Sequence, residues 1–279
     1  MTALPLRLES LEDDDPWIIE QKTFDILNSY LQPCSTMSAL AAAQGIDALT
    51  PAKRPDQGDG KEIEEAESYL WETWGTFIEI AKQIPCDHVS MDRLVELVNS
   101  LSSLPPTIVT VWTANLRLWT DLPLLGPSMR EAWLMPTYRN AQPTAEAAQQ
   151  WISLSSFAAR LLNHEMVSWT SFAVWQLREA LEEPSTGPKL QCDIAAAAEW
   201  IVHSGVLLYS SRSNDEVDPK DRSVMAGSIY KGKWSLCPER WEFWKLRFGE
   251  ISNEVGGDTK KTAVKAMHKM TAIEQERGA

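Results

Sequence analysis

Residues 195–209, AAAAEWIVHSGVLLY, decide the fold. The run is almost wholly apolar and opens on four alanines, the best helix formers. It is also longer than a buried strand, so it reads as a helix hidden in a core. Glu199 and His203 interrupt it at i and i+4, which puts both on one helical face. Much of the chain around it follows the same 3.6-residue return of apolar side chains.

Working outward, the spacing predicts helices over 61–84, 90–103, 107–120, 127–134, 143–164, 167–183, 192–210, 238–255 and 259–276. Two more precede them, one running from Asp15-Pro16 to Leu31 and one over 35–44 closed by Gly45. Gln142-Pro143-Thr144 opens one helix, residues 183–188 (EPSTGP) close another, and Cys237-Pro238-Glu239 opens a third with proline in its first turn. Residues 107–112, TIVTVW, form the only β-branched run, and they follow Pro105-Pro106, so a short strand is the alternative there. The fold class read from this pattern is all-α: about ten helices in antiparallel pairs, as a bundle or a short solenoid-like stack. Residues 50–60, TPAKRPDQGDG, have the composition of a mobile loop, which separates an acidic N-terminal arm (1–60) from a main helical domain (61–279).

Composition narrows the function. The 279 residues carry 39 acidic against 26 basic side chains, a formal net charge of −13, which repels phosphate backbones and anionic lipid; neither nucleic acid nor a membrane surface is the expected partner. Cys34, Cys86, Cys192 and Cys237 are widely spaced with no histidine at ligand spacing, so no metal site is expected and reduced thiols in the cytoplasm are the default. The N-terminus is too acidic for a signal peptide, and no apolar run reaches transmembrane length. No dinucleotide-binding glycine fingerprint, phosphate loop or serine-hydrolase elbow is present, and Asp13-Asp14-Asp15 lacks the spacing of a magnesium-binding aspartate motif. No cofactor is expected.

Several pieces stand together in order: Leu122-Pro123 with Arg130-Glu131-Ala132-Trp133, then Phe157 to Leu161 (FAARL), Leu177 to Glu182 (LREALE), Ala197 to Ile201 (AAEWI), and Arg240-Trp241 with Trp244, Arg247 and Phe248. That series, over roughly residues 65–275, resembles a fungal family of all-helical proteins known as a domain of unknown function. The resemblance implies an intracellular helical protein, with some relatives in natural-product pathways, and transfers no catalytic residue.

The candidate site residues follow from chemistry alone. Glu199 and His203 in dry surroundings suit acid–base work, because a neighbouring carboxylate raises imidazole basicity; a satisfied core pair is the alternative. Arg130-Glu131 lies between Trp119 and Trp133, just after Gly126-Pro127. Adjacent helical residues point about 100 degrees apart, so one of the two is expected to turn inward, either to hold a carboxylate or to lock the corner. Arg160 and His164 repeat the i, i+4 spacing, with His164 expected to cap a helix end. Trp241, Trp244, Phe248 and Ile251 form a stripe that suits a core, with Arg240 and Arg247 flanking Trp244 at spacings that suit cation–π contact. Residues 210–235 turn aromatic at Tyr230 and Trp234 and have the length of a lid, a binding loop or a disordered insert.

Two readings of function remain. One is a cofactor-independent cyclase or isomerase of specialised metabolism: Trp119, Trp133, Arg160, Trp200, Tyr230 and Trp244 line a pocket for an apolar small molecule, and Glu199, His203 and Arg130 act on it. The other is a helical scaffold whose acidic surface binds a basic partner. An enclosed cavity at Glu199 and His203 favours the first; meeting solvent, or each other across a packed seam, favours the second.

Overall fold

A computed structural model describes residues 3–12, 17–54, 64–213 and 224–277. Among them are ten α-helices: α1 (Ile18–Leu31), α2 (Ala39–Asp47), α3 (Ala66–Gln83), α4 (Val89–Ser102), α5 (Leu125–Ala132), α6 (Ala145–Asn163), α7 (Thr170–Leu181), α8 (Gly187–Ser210), α9 (Pro238–Glu254) and α10 (Gly257–Arg277). The fold is all-α, as the periodicity requires. The chain forms two compact units, Met1–Leu134 and Met135–Ala279. The sequence places a boundary near residue 60 instead. Within the first unit, however, α1 packs on α3 and α2 packs on α4, so the helices before that loop share a core with those after it.

The first unit opens with an extended strap in which Leu4, Leu6 and Leu8 are buried while Pro5 and Arg7 are exposed, the period of two that a strand-like backbone imposes. Two glutamine carboxamides hold it. Gln32 accepts from the Leu4 N–H (3.0 Å) and donates to the Leu4 carbonyl (3.2 Å), and Gln83 does the same for Arg7 (2.9 and 2.7 Å). Each amide thus stands in for a neighbouring strand.

Residues 107–120 are not helical. β1 (Ile108–Val111) pairs antiparallel with β2 (Ala114–Arg117), with Ile108 opposite Arg117 and Val111 opposite Ala114. Trp112 and Thr113 make the turn at φ 49° and 72°, the double left-handed geometry that matches hairpin twist. The β-branched run wins because its side chains crowd a helix and suit a pleated edge.

The second unit is an alternating array around α8, which packs against α6, α7 and α10. Ser156 meets Glu199 and Ala159 meets Ser204, so α6 and α8 run parallel; Gln176 meets Asp193 and Glu179 meets Lys189, so α7 runs against both. Trp241 reaching Glu274 while Gly249 faces Met267 makes α9 and α10 antiparallel. The neighbours α6–α7, α7–α8 and α9–α10 are therefore antiparallel, as expected, while the extensive α6–α8 contact joins parallel helices. Small buried residues let those backbones approach: Ser153, Ser155, Ser156, Ala158 and Ala159 on α6, and Ala196, Ala197, Ala198, Ser204 and Gly205 on α8.

Two glycine-marked boundaries differ from expectation. Gly45 lies inside α2 rather than closing it, and a Cβ there would stand 3.2 Å from Ile26 Cδ1, so the glycine serves close contact with α1. α8 begins at Gly187 rather than residue 192. Gly187 adopts φ +61° and Pro188 occupies the first turn, so the stretch at 183–188 launches a helix as well as ending one. The predicted capping pair Asp15-Pro16, with Asp13 and Asp14, lies outside the described residues, as do 55–60 of the expected loop and 214–223 of the 210–235 segment. No helix among the described residues is long and apolar enough to cross a membrane.

Candidate functional site

Glu199 and His203 come together with two side chains of α6. Glu199 Oε2 accepts from Ser156 Oγ at 2.5 Å and lies 3.2 Å from His203 Nε2 and 3.8 Å from Arg160 Nη1. Arg160 in turn donates to Ser156 Oγ. The helices bring these groups together because 156 and 160 on α6, and 199 and 203 on α8, are each one turn apart on the facing sides. Burial alone would push the Glu199 carboxyl up. The hydrogen bonds from His203 and Ser156, with the charges of His203 and Arg160, overcome it and hold the carboxyl below its ordinary value. An ionised Glu199 therefore orients three partners at once. This is not the geometry of a serine hydrolase, in which histidine stands between serine and acid. Here the carboxylate stands between serine and histidine, and the His203 side chain remains 24% exposed.

The other sequence candidates lie elsewhere. Arg130 and Glu131 are both exposed on α5, so neither turns inward, contrary to expectation; the buried face of that short helix is taken by Leu125, Ser128 and Met129. Trp119 and Trp133 are buried, and Trp119 donates to Asp47 Oδ1 (2.9 Å) while its ring meets Trp74 edge-on. Trp200 is fully buried in α8. His164 sits at the C-cap of α6, where its backbone N–H bonds the Arg160 carbonyl.

Tyr230 and Trp244 belong to a buried knot that only half shows in the sequence. Arg240 and Glu182 are both fully buried and pair bidentately, Nε to Oε1 at 2.6 Å and Nη2 to Oε2 at 3.0 Å. Trp244 Nε1 donates to the same Oε1 (2.6 Å) and the Gly227 N–H to Oε2 (2.7 Å). Arg240 spends its remaining donors on the carbonyls of Val224, Met225 and Trp234. The guanidinium also lies 5.3 Å from the Trp244 ring centroid and 5.7 Å from that of Tyr230, so the cation–π contact expected of Arg240 and Trp244 is present. The described part of the 210–235 segment is thereby pinned to α7 and α9.

A second knot escaped the sequence reading. Lys189 Nζ donates to Asp193 Oδ2 (2.6 Å) and Glu179 Oε1 (2.7 Å), and Thr137 Oγ1 donates to Asp193 Oδ1 (2.8 Å). Burial raises the Asp193 carboxyl against the opposing pull of Lys189. Burial opposes the Lys189 charge too, yet the two carboxylates carry its ammonium above the ordinary lysine value. Beside them, burial pushes the Cys192 thiol up to about 12. Lys189 and Asp193 stand at i and i+4 in an apolar helix, the signal that marked Glu199 and His203.

Three surface hollows accompany these clusters. One of about 210 Å³ lies in the first unit against Tyr69, Val109 and Leu118. One of about 500 Å³ is lined by Val206, Leu207, Asn163 and Arg277, one turn along α8 from His203, and one of about 350 Å³ lies by Arg139 and Arg178. None of the three is lined by Arg130, Trp119, Trp133, Glu199, Trp200, His203 or Trp244. Among the described residues no three His, Cys, Asp or Glu side chains gather as a metal site.

Fold and clusters define an all-helical protein whose interior is laced by tryptophans and buried ion pairs. Residues 74–248, more than half of the chain, match the family described as "Protein of unknown function (DUF3632)", and the chain belongs to that family. No curated protein and no solved structure matches it.

Proposed function

We propose that this protein works by binding, as a helical scaffold whose acidic exterior receives a basic partner, and not by chemistry inside its aromatic core. The observation that carries this reading is the use made of the candidate polar groups. Glu199 and His203 satisfy each other and Ser156 across the α6–α8 seam. Trp74, Trp119, Trp151, Trp241 and Trp244 spend their indole N–H groups tying elements together. An indole committed in that way holds helices in place and has no donor left for a substrate. The net charge of −13 then supplies long-range attraction for a cationic surface.

The test titrates the full chain with a lysine-rich peptide and, separately, with an apolar naphthalene-sulfonate dye read by energy transfer from tryptophan. A scaffold binds the peptide saturably, loses affinity as salt rises from about 0.05 to about 0.3 M, and leaves the dye dark. Stoichiometric dye binding with efficient transfer, and no peptide binding, overturns the proposal.

One observation favours the enzymatic alternative, a cofactor-free cyclase or isomerase of biosynthesis acting on an apolar small molecule. His203 stands against an ionised Glu199, one turn along α8 from the 500 Å³ hollow. A general base there needs a free imidazole nitrogen, so His203→Asn would abolish turnover on that reading and leave peptide binding untouched on the first.

A further inference from the structure

The hollow of about 350 Å³ in the second unit holds charges that its own neighbours leave unused. Its acids are engaged. Glu179 accepts from Lys189 Nζ at 2.7 Å, and Glu183 accepts from Ser228 twice, from N–H at 3.1 Å and from Oγ at 2.6 Å. Neither of its arginines meets one of these acids. Among the described residues the guanidinium groups of Arg139 and Arg178 make no hydrogen bond and no ion pair, and Arg178 Nε is closed off from solvent with no acceptor. Two guanidinium groups that line one hollow without a counter-charge favour an oxygen acceptor arriving from solution.

The surroundings say what sort. Arg139 and Asn140 adopt φ 55° and 64°, a left-handed pair that is common for asparagine and uncommon for arginine; the turn they make sets Arg139 in the lining of the hollow that Arg178 lines from α7. The Arg139 guanidinium stands 5.2 Å from the exposed Tyr138 ring, an aromatic wall for the carbon part of a ligand. The planar forks of two arginines match the two oxygens of a carboxylate. Because Glu179 and Glu183 line the same hollow, a dianion is repelled more strongly than a monoanion, which sets carboxylate above phosphate.

We propose that this hollow is a binding site for a small carboxylate-bearing molecule, its carboxylate held between Arg139 and Arg178 and its carbon body against Tyr138. The proposal is independent of the scaffold reading, since a scaffold and an enzyme can each carry such a site.

The experiment follows arginine Nε–Hε signals of the ¹⁵N-labelled full chain during titration with sodium benzoate, and in parallel with phosphate, at constant ionic strength. Arg178→Lys assigns the Arg178 signal by removing it. Benzoate is expected to shift that signal saturably in the millimolar range, phosphate to shift it at least several-fold less effectively, and Arg139→Gln to weaken benzoate by about tenfold with the backbone spectrum otherwise unchanged. Arg139 is exposed, so its replacement leaves the core intact and the outcome interpretable even if an Arg178 variant folds poorly. No saturable shift, equal affinity in Arg139→Gln, or tighter binding of phosphate than of benzoate each overturns the proposal.

Discussion

Replacing Glu182 by glutamine changes one oxygen to an amide nitrogen and leaves the shape alone. Each carboxylate oxygen of Glu182 already takes two donors: Arg240 Nε and Trp244 Nε1 on Oε1, Arg240 Nη2 and Gly227 N–H on Oε2. Whichever end the new NH2 occupies, two donors face a donor, and the fully buried Arg240 keeps its charge with no counter-charge. Breaking a buried pair from one side costs about 3–5 kcal/mol, a large share of the roughly 5–15 kcal/mol that holds a domain folded. At about 2–4 °C per kcal/mol for a unit of this size, the midpoint falls by roughly 10 °C. Urea unfolding followed by tryptophan fluorescence, with the slope checked for constancy, reads the change. Glu182→Met with Arg240→Met removes both charges and should be less destabilised than the two single changes added, by about 2 kcal/mol, though not restored, because the carbonyls of Val224, Met225 and Trp234 lose their donor. A Glu182→Gln protein within about 1 kcal/mol of the parent, or singles that simply add, would show that this knot does not hold the unit together.

Three further outcomes follow from the same geometry. Gly227→Ala places a Cβ 2.6 Å from the Glu182 backbone oxygen, which cannot yield, and should cost about 1–3 kcal/mol, whereas Gly256→Ala, with nothing within 4 Å, should be near neutral; equal midpoints would refute the first contact. The folded Glu199 carboxyl lies below its ordinary value of 4.5, so its contribution is complete above that value and disappears as pH falls through the folded pKa. Stability profiles of the parent and Glu199→Gln should therefore converge between about pH 6 and about pH 3, and a gap that widens on acidification contradicts the assignment. With a thiol reagent at about pH 8, exposed Cys34 should react in the native protein, while buried Cys192, its thiol pushed up to about 12, and buried Cys237 should react only after unfolding; native modification of Cys192 would mean its pocket opens.

Helices were legible in the sequence because an apolar return every 3.6 residues is a local property, and proline marked the opening of α9 where it was read. The hairpin was not, because the left-handed turn at Trp112 and Thr113 uses neither glycine nor asparagine, the residues that announce it. The unit boundary at Leu134 was hidden for a different reason: a polar loop near residue 60 looks like a linker, whereas packing of α1 and α2 on α3 and α4 is long-range. At the clusters, Glu199 and His203 were found by spacing, and the same spacing would have found Lys189 and Asp193. Glu182 carried no signal. It precedes another glutamate at a helix end, and only the loop returning at Gly227 distinguishes the buried acid from Glu183, which bonds exposed Ser228. Ser156 and Arg160 share a face of α6, but their meeting with Glu199 depends on α6 and α8 running parallel, a tertiary choice that no local pattern states.

Xenon pressurisation of crystals of the full chain puts the filled aromatic interior to the question. Xenon enters apolar voids and leaves packed cores empty. A core in which Trp200, Trp241 and Trp244 are fully enclosed by neighbouring helices should show no xenon between α6 and α10. A xenon atom bound beside Trp200 or Trp244 would reveal a hollow at the aromatic centre and return the enzymatic reading to first place.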